Sequence, residues 1–188
     1  MGRWEPDARG RMIRAAVELY ADGGYEQTTV QDIAARAGVT ERTFFRHFAD
    51  KREVLFDGSG ELERAVVDAM RAAPADATPF EVAAAGALAA GAVLDGRGDF
   101  ARVRAAVVAA NRSLQERELL KMAQLGSAMA EVLRERGVAE PTAGLVAQSG
   151  VTAFAVGFAT WVADASLGDL PSCVADALAR LASLASAT

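Results

Sequence analysis

At 188 residues with 52% hydrophobic content, the chain is long enough to bury a substantial core as one domain or two small ones. Its single cysteine, Cys173, excludes an intramolecular disulfide and any cysteine-based zinc site, fits a reducing cytoplasm, and reads as a small core residue. The formal net charge of −5 argues against a nucleic-acid partner until it is divided: residues 1–56 hold nine Lys+Arg and nine Asp+Glu, residues 57–188 eleven and sixteen. Abundant alanine and leucine, few aromatics and only five prolines predict an all-α protein.

Met1 to Pro6 reads as a short tail without an apolar run, so no signal peptide is expected; Arg3, Trp4 and Arg9 either add a phosphate contact or belong to a free tail. From Asp7 or Ala8 a helix carries Met12, Ala16, Leu19 and Tyr20 on one side, with Ile13 and Val17 beside them, and Gly23-Gly24 ends it. Two short amphipathic helices follow, about Val30 to Ala37 and about Glu41 to Phe48, joined by Gly38-Val39-Thr40. Gly38 can take the left-handed conformation that ends a helix, and the Thr40 hydroxyl can accept a backbone N–H as the next N-cap. Ile33, Ala34, Val39, Phe44 and Phe48 are apolar where two crossed helices must meet, which is the geometry of a DNA-binding helix-turn-helix.

At about 100° of rotation per residue, inward Phe44 and Phe48 leave Arg42 and Arg46 on one outward face, with Thr43 and Phe45 flanking it. A guanidinium there can pair bidentately with guanine or a phosphate; a hydroxyl can bond a phosphate or base edge, and an aromatic ring can pack on sugar or a thymine methyl. Between Arg36 and Arg52 five basic residues (Arg36, Arg42, Arg46, Lys51, Arg52) face two acidic ones (Glu41, Asp50), so the basic patch coincides with the motif.

The first fifty or so residues resemble the tetracycline-repressor (TetR) family of bacterial transcription regulators. The likeness rests on the helix Arg9 to Ala21 ending in Asp22-Gly23-Gly24-Tyr25, on Thr28-Thr29-Val30 with Asp32-Ile33-Ala34, on Ala37-Gly38-Val39-Thr40, on Thr43-Phe44-Phe45 with His47-Phe48, and on Asp50-Lys51. It implies that Thr29 caps the first helix of the motif near a phosphate, that Thr40, Arg42, Thr43, Phe45, Arg46 and His47 face DNA, and that Lys51 holds a phosphate. Phe45 stands where the family more often has tyrosine, and Arg42 where many members carry a small residue, so the resemblance implies the docking and not the operator sequence.

Asp50 and Glu53 form a capping box predicted to open a long helix reaching about Ala72, stopped by Pro74. Thr78-Pro79-Phe80-Glu81 has the cap, the N1 proline and the N3 acid of a helix start, and that helix runs to about Leu94. Asp95 to Asp99 is a turn whose Arg-Gly-Asp triplet is read as an interhelical connection. Further helices are expected from Phe100 to about Ala110, from Gln115 to Arg136 with Leu119, Met122, Leu125, Met129 and Leu133 at helical spacing, from Pro141 to about Ser166, and from Pro171 to Ala185. Pro141 to Ala163 carries no charge and is long enough to cross a bilayer, yet Gln148, Ser149, Thr152, Thr160 and three glycines favour a core or interface helix and no membrane partner.

About nine helices result: a three-helix helix-turn-helix domain at residues 1–50, then a helical ligand-binding and dimerisation domain at 51–188. Gly150, Ala153 and Gly157 would let another helix approach closely, and with Val174, Leu178 and Leu181 they would build half of a four-helix bundle across a two-fold axis. The resemblance implies the same homodimer, a palindromic double-stranded DNA operator, and release by a small-molecule effector. Phe80, Phe100, Met122, Met129, Phe154, Phe158 and Trp161 either line an effector pocket or are ordinary core. Arg104, with Arg102 and Arg112, either meets an anionic ligand group or sits on the surface. Around Leu114 to Lys121 the chain is similar to an actinobacterial subgroup of the family that recognises acyl-coenzyme-A-like molecules.

No cofactor or metal is expected, and no enzyme: the single His47 lies on the second motif helix, and no phosphate loop, nucleophile elbow or metal-ligand cluster occurs. The expectation is a cytoplasmic, ligand-responsive homodimeric repressor. The alternative is a small-molecule-binding or helical interaction module whose helix-turn-helix only packs.

Overall fold

The computed structural model describes residues 7–164 and 166–186, so the reading of Met1 to Pro6 lies outside it. The described residues form nine α-helices and one 3-10 turn. They divide into two compact units, one comprising the chain up to Gly58 with Arg102–Glu118, the other Ser59–Ala101 with the chain from Leu119 onward.

In the first unit, α1 (Ala8–Gly23) begins where the Asp7 carboxylate accepts the Gly10 N–H at 2.9 Å and stops where Gly24, at φ 85°, returns its N–H to Tyr20. It buries Met12, Ala15, Ala16, Val17 and Tyr20, while Ile13 and Leu19 are half-buried. The helices α2 (Val30–Arg36) and α3 (Glu41–His47) follow. Residues 50–58 depart from the expected long helix. The Asp50 carboxylate does accept the N–H groups of Arg52 (2.8 Å) and Glu53 (3.1 Å), but what it caps is the 3-10 turn Glu53–Phe56. Val54, Leu55 and Phe56 are all buried. Three consecutive residues cannot share one face of an α-helix, and a tighter turn lets all three point inward. The long helix, α4 (Ser59–Ala72), starts only after Gly58.

The first unit also takes in residues 102–118, beyond the expected boundary at residue 50. Leu114 is fully buried, Arg104 Nε donates to the Leu55 carbonyl at 2.7 Å with its guanidinium 5.0 Å from the Phe56 ring centroid, and Arg117 Nε reaches Glu53 Oε1 at 2.7 Å. The division between units therefore falls within α6 (Gly98–Ala109) and α7 (Arg112–Glu135).

The second unit packs α4, α5 (Pro79–Asp95), the later part of α7, α8 (Thr142–Ala163) and α9 (Leu170–Ser186) around one core. The α5 start is the expected one: the Thr78 hydroxyl accepts the Glu81 N–H at 3.3 Å, and Glu81 Oε2 accepts the Thr78 N–H at 2.7 Å. On α7, Leu125, Met129 and Leu133 are buried, but Leu119 is 70% exposed and lies off the stripe expected for it.

α8 is long and apolar enough to cross a membrane, yet it buries Ala147, Val151, Phe154 and Trp161 in this core. Its small residues admit neighbours from the same chain. A Cβ on Gly157 would stand 2.7 Å from Val174 Cα, and one on Gly150 would stand 2.8 Å from Met129 Cε and 3.3 Å from the Ala83 carbonyl. Gly157→Ala should therefore lower stability by about 1–3 kcal/mol, because the obstacle is α9 backbone and cannot rotate aside. Gly126→Ala, whose Cβ would meet nothing closer than 3.5 Å, should be neutral or raise stability by up to about 1 kcal/mol through helix propensity. Thermal denaturation of the two variants checks the contrast; equal effects would contradict the packing described.

Candidate nucleic-acid interface and effector clefts

The turn between α2 and α3 is built as its residues require. The Thr29 hydroxyl accepts the Asp32 N–H at 3.1 Å while the Asp32 carboxylate accepts the Thr29 N–H at 2.9 Å, a reciprocal box that fixes the start of α2. Gly38, at φ 68°, ends that helix, and the Val39 N–H bonds the Ala34 carbonyl at 2.9 Å. The Thr40 hydroxyl accepts the Thr43 N–H at 3.2 Å, opening α3, and shares a further hydrogen bond with the Thr43 hydroxyl at 3.1 Å.

Inside, Phe44 is fully buried and Phe48 nearly so, their ring centroids 5.4 Å apart, beside buried Ile33 and Ala34. Outside, Arg42 and Arg46 are exposed and Phe45 is 54% exposed. The remaining basic residues of the motif are committed: Arg36 pairs with Glu18 at 3.5 Å, Arg52 with Asp50 at 2.8 Å, and Lys51 is enclosed by backbone carbonyls. Among the described residues, Arg42 and Arg46 are the motif cations with no hydrogen bond, ion pair or ring contact. His47 is half-buried beside the Phe48 ring, with Nε2 buried and without a hydrogen-bond partner, so it faces inward more than the resemblance implied. Arg9 pairs with Asp57 and stacks 5.7 Å from the Phe48 ring centroid, and so is engaged within the unit.

Lys51 also departs from its expected place. Its ammonium donates to the carbonyls of Tyr25 (2.8 Å), Thr28 (3.0 Å) and Glu26 (3.3 Å) and lies 4.3 Å from the Tyr25 ring centroid. An ammonium has three donors, and all three are used within the unit.

The second unit corrects two groups of expected residues. Gly150, Ala153, Gly157, Val174 and Leu178 are buried within one chain, against α5, α7 and each other's helices, and Leu181 is half-buried. They are not free to meet a second copy. The exposed face of α8 instead carries Leu145 (67%), Gln148, Thr152, Ala155, Val156 (50%) and Ala159, and on α9 Ala175, Ala179 and Leu184 are exposed.

Of the effector candidates, Met129, Phe154 and Trp161 are buried in the core, with Phe80, Met122 and Phe158 packed on it, and Phe158 lies 6.2 Å from Phe154 and 6.0 Å from Trp161 by ring centroids. Phe100 is half-buried at the start of α6. Arg104 belongs to the first unit, paired with Glu118 at 2.9 Å as well as with Leu55, and is withdrawn from any ligand role by those bonds. Arg112 is exposed with Glu116 at 3.3 Å. The clefts lie elsewhere: one of about 360 Å³ is lined by Ala75, Ala77, Pro79, Val82, Leu133, Arg136 and Val138, and one of about 120 Å³ includes Ser59, Glu63, Lys121 and Met122. Only Met122 among the expected residues lines either.

A helix-turn-helix unit with a free basic face, followed by a separate all-helical unit, defines a helix-turn-helix regulator of the two-domain, all-α class. Residues 12–57 match the family described as "Bacterial regulatory proteins, tetR family", and through this domain the chain belongs to the tetR family. Over 73 residues it is 42% identical to the HTH-type transcriptional regulator TcmR of Streptomyces glaucescens, covering 39% of this chain and 32% of that protein. The chain thus spans about a third of the length of the curated relatives it matches. Across nearly its whole length it shares the fold of FadR from Bacillus subtilis in complex with stearoyl-CoA (TM-score 0.64, 23% identity, 92% of this chain and 96% of that one). FadR from Thermus thermophilus, a repressor in complex with lauroyl-CoA, gives TM-score 0.57, 25% identity and 92% of both chains.

Two carboxylates of the motif have lowered pKa values. Asp32 lies below its ordinary 3.8 because the Thr29 side chain and backbone hydrogen-bond it, and Asp50 because the Arg52 guanidinium does, against a smaller opposing effect of burial. A depressed carboxylate adds stability that is complete above its unfolded value and is lost as pH falls through the folded value. Thermal stability followed by circular dichroism should therefore be level from pH 7 to about 5 and fall below about pH 4, with Asp50→Asn showing a shallower acid limb. An identical acid limb in wild type and variant would contradict these bonds.

Proposed function

We propose that the chain is a homodimeric transcription regulator, a repressor, that reads a palindromic operator through α3 and is released from it by a small-molecule effector of the acyl-coenzyme-A type. The observation that carries the reading is the outward face of α3, where Arg42 and Arg46 stand four residues apart with no intramolecular partner while Phe44 and Phe48 hold the opposite face inside. Uncommitted guanidinium groups on a rigid helix suit bidentate pairing with guanine edges or phosphates. Thr29, Thr40, Thr43 and Phe45 complete the contact set, with the hydroxyls on phosphate and the ring on sugar or a thymine methyl.

One seven-residue helix supplies too little discrimination for an operator, and two heads about one DNA turn apart read a palindrome. The exposed apolar and small residues of α8 and α9 fit the pairing of two copies: Leu145, Thr152, Val156 and Ala159 fall on one face, and a two-fold axis would make that face self-complementary.

The titles of two structural neighbours support the effector class. Pockets that hold drug-sized ligands measure roughly 300–1,000 Å³, whereas the larger cleft here holds about 360 Å³. A long acyl chain with its coenzyme A therefore needs the Phe154, Phe158 and Met122 packing to open, and a ligand that requires an opened core selects a different conformation from the one that binds DNA. The setting is cytoplasmic, where DNA and acyl-coenzyme A meet, and no catalytic step is involved.

Arg42→Ala should relax preference at one operator position and cost about 1–3 kcal/mol there if the contact is bidentate to a base. Binding measured on operators varied at each position checks this, and an unchanged preference removes the role. A long-chain acyl-coenzyme A should release labelled operator from the wild-type protein where free coenzyme A does not; equal behaviour of the two would contradict the effector class.

A further inference from the structure

We infer that Lys51 acts as a positioning residue for the reading head, by closing the loop between α1 and α2 from inside the domain, rather than as a contact to the DNA backbone. The inference rests on the reading of α3 as the recognition helix. The loop Tyr25 to Thr28 turns three of its carbonyls, those of Tyr25, Glu26 and Thr28, onto one ammonium at 2.8, 3.3 and 3.0 Å. The Tyr25 ring closes a fourth side, its centroid 4.3 Å from Nζ, and that ring packs edge-on against Tyr20 at 5.1 Å.

The same residue is held through its backbone. Tyr20, buried on α1, donates its hydroxyl to the Lys51 carbonyl at 2.7 Å. Thr28, buried next to the cage, donates its hydroxyl to the Gly24 carbonyl at 2.8 Å. Lys51 is thus joined to α1 through Tyr20 and to the start of α2 through residues 25–28, and Thr29, which opens α2, is the next residue along. Three carbonyl dipoles aimed at one point repel each other unless a cation sits there, so removing the ammonium frees the loop. Because α2 lies against α3 through Ile33, Ala34 and Phe44, the seat of α2 sets the orientation in which α3 presents Arg42 and Arg46.

A phosphate contact and a positioning role differ in what they ask of the side chain. A phosphate accepts either cation, and losing the contact lowers the slope of log affinity against log salt by about 0.9. The carbonyl cage fits a compact ammonium and not a planar guanidinium. The test is operator binding of full-length wild type, Lys51→Arg, Lys51→Ala and Tyr20→Phe across a salt series, at a temperature where each is folded by circular dichroism. The expected result is an affinity loss of about tenfold in both Lys51 variants at every salt concentration, with the salt slope unchanged, and a smaller loss at unchanged slope in Tyr20→Phe.

Full affinity in Lys51→Arg with a slope lower by about one in Lys51→Ala would establish a backbone contact and overturn the inference. Lowered melting temperatures with unchanged affinity of the folded proteins would overturn it in favour of stability alone. Tyr20→Phe keeps the buried ring and the charge, so it reports even if a Lys51 variant does not fold. Absence of sequence-selective binding by wild type would remove the reading of α3 itself and this inference with it, and it is seen before any variant is compared.

Discussion

The burial of Phe44 is the constraint on which the first unit depends. A seven-residue helix gains too few hydrogen bonds to offset its own nucleation and is unstable alone in water, so α3 exists because its apolar side is taken up by the domain. Phe44 is fully buried and Phe48 nearly so, and with Ile33 and Ala34 facing them the rotational phase of α3 has one solution. Everything on the outward face, Arg42 and Arg46 above all, follows from that phase. The polar bonds then refine it: the Thr40 cap sets where α3 begins, the Thr29–Asp32 box sets where α2 begins, and the Lys51 cage ties both to α1.

The second unit is organised by a different economy of space. α8 carries no charge, and its glycines are where α7 and α9 come closest, so the core is tight at helix crossings and has no large void among the described residues. That tightness is compatible with effector response only if packing can change between discrete arrangements. The aromatic series Phe154, Phe158 and Trp161 is stacked loosely, with centroids 6.0 to 6.2 Å apart, and forms the layer that such a change would move.

Much of this was legible from residue order because the signals were local. Asp7, Thr29, Thr40 and Thr78 announce helix starts through side chains that reach only three residues along, and Gly38 announces a turn by its conformational freedom. The α3 face could be assigned because one periodicity and two phenylalanines determine it. The signals that failed were those whose meaning depends on distant partners. Gly150 and Gly157 mark close approach, but only the fold says that the neighbours are Met129, Ala83 and Val174 of the same chain. Asp50 marked a cap correctly, while the triple burial of Val54, Leu55 and Phe56 turned the following residues into a 3-10 turn. Lys51 is basic and adjacent to the motif, and nothing in the sequence told that three carbonyls 23 to 26 residues earlier would enclose it. The role of Arg104 and Arg117 in the first unit was invisible for the same reason, since their partners Leu55 and Glu53 lie 49 and 64 residues away.

The central claim, that the free face of α3 reads DNA as one of two paired heads, is tested most directly by selecting bound sequences from a random duplex pool with the purified protein. The account predicts enrichment of a palindrome whose half-sites lie about one helical turn apart. Recovery of unselected sequence, with only weak binding that salt abolishes, would contradict it and leave the helix-turn-helix as a packing element.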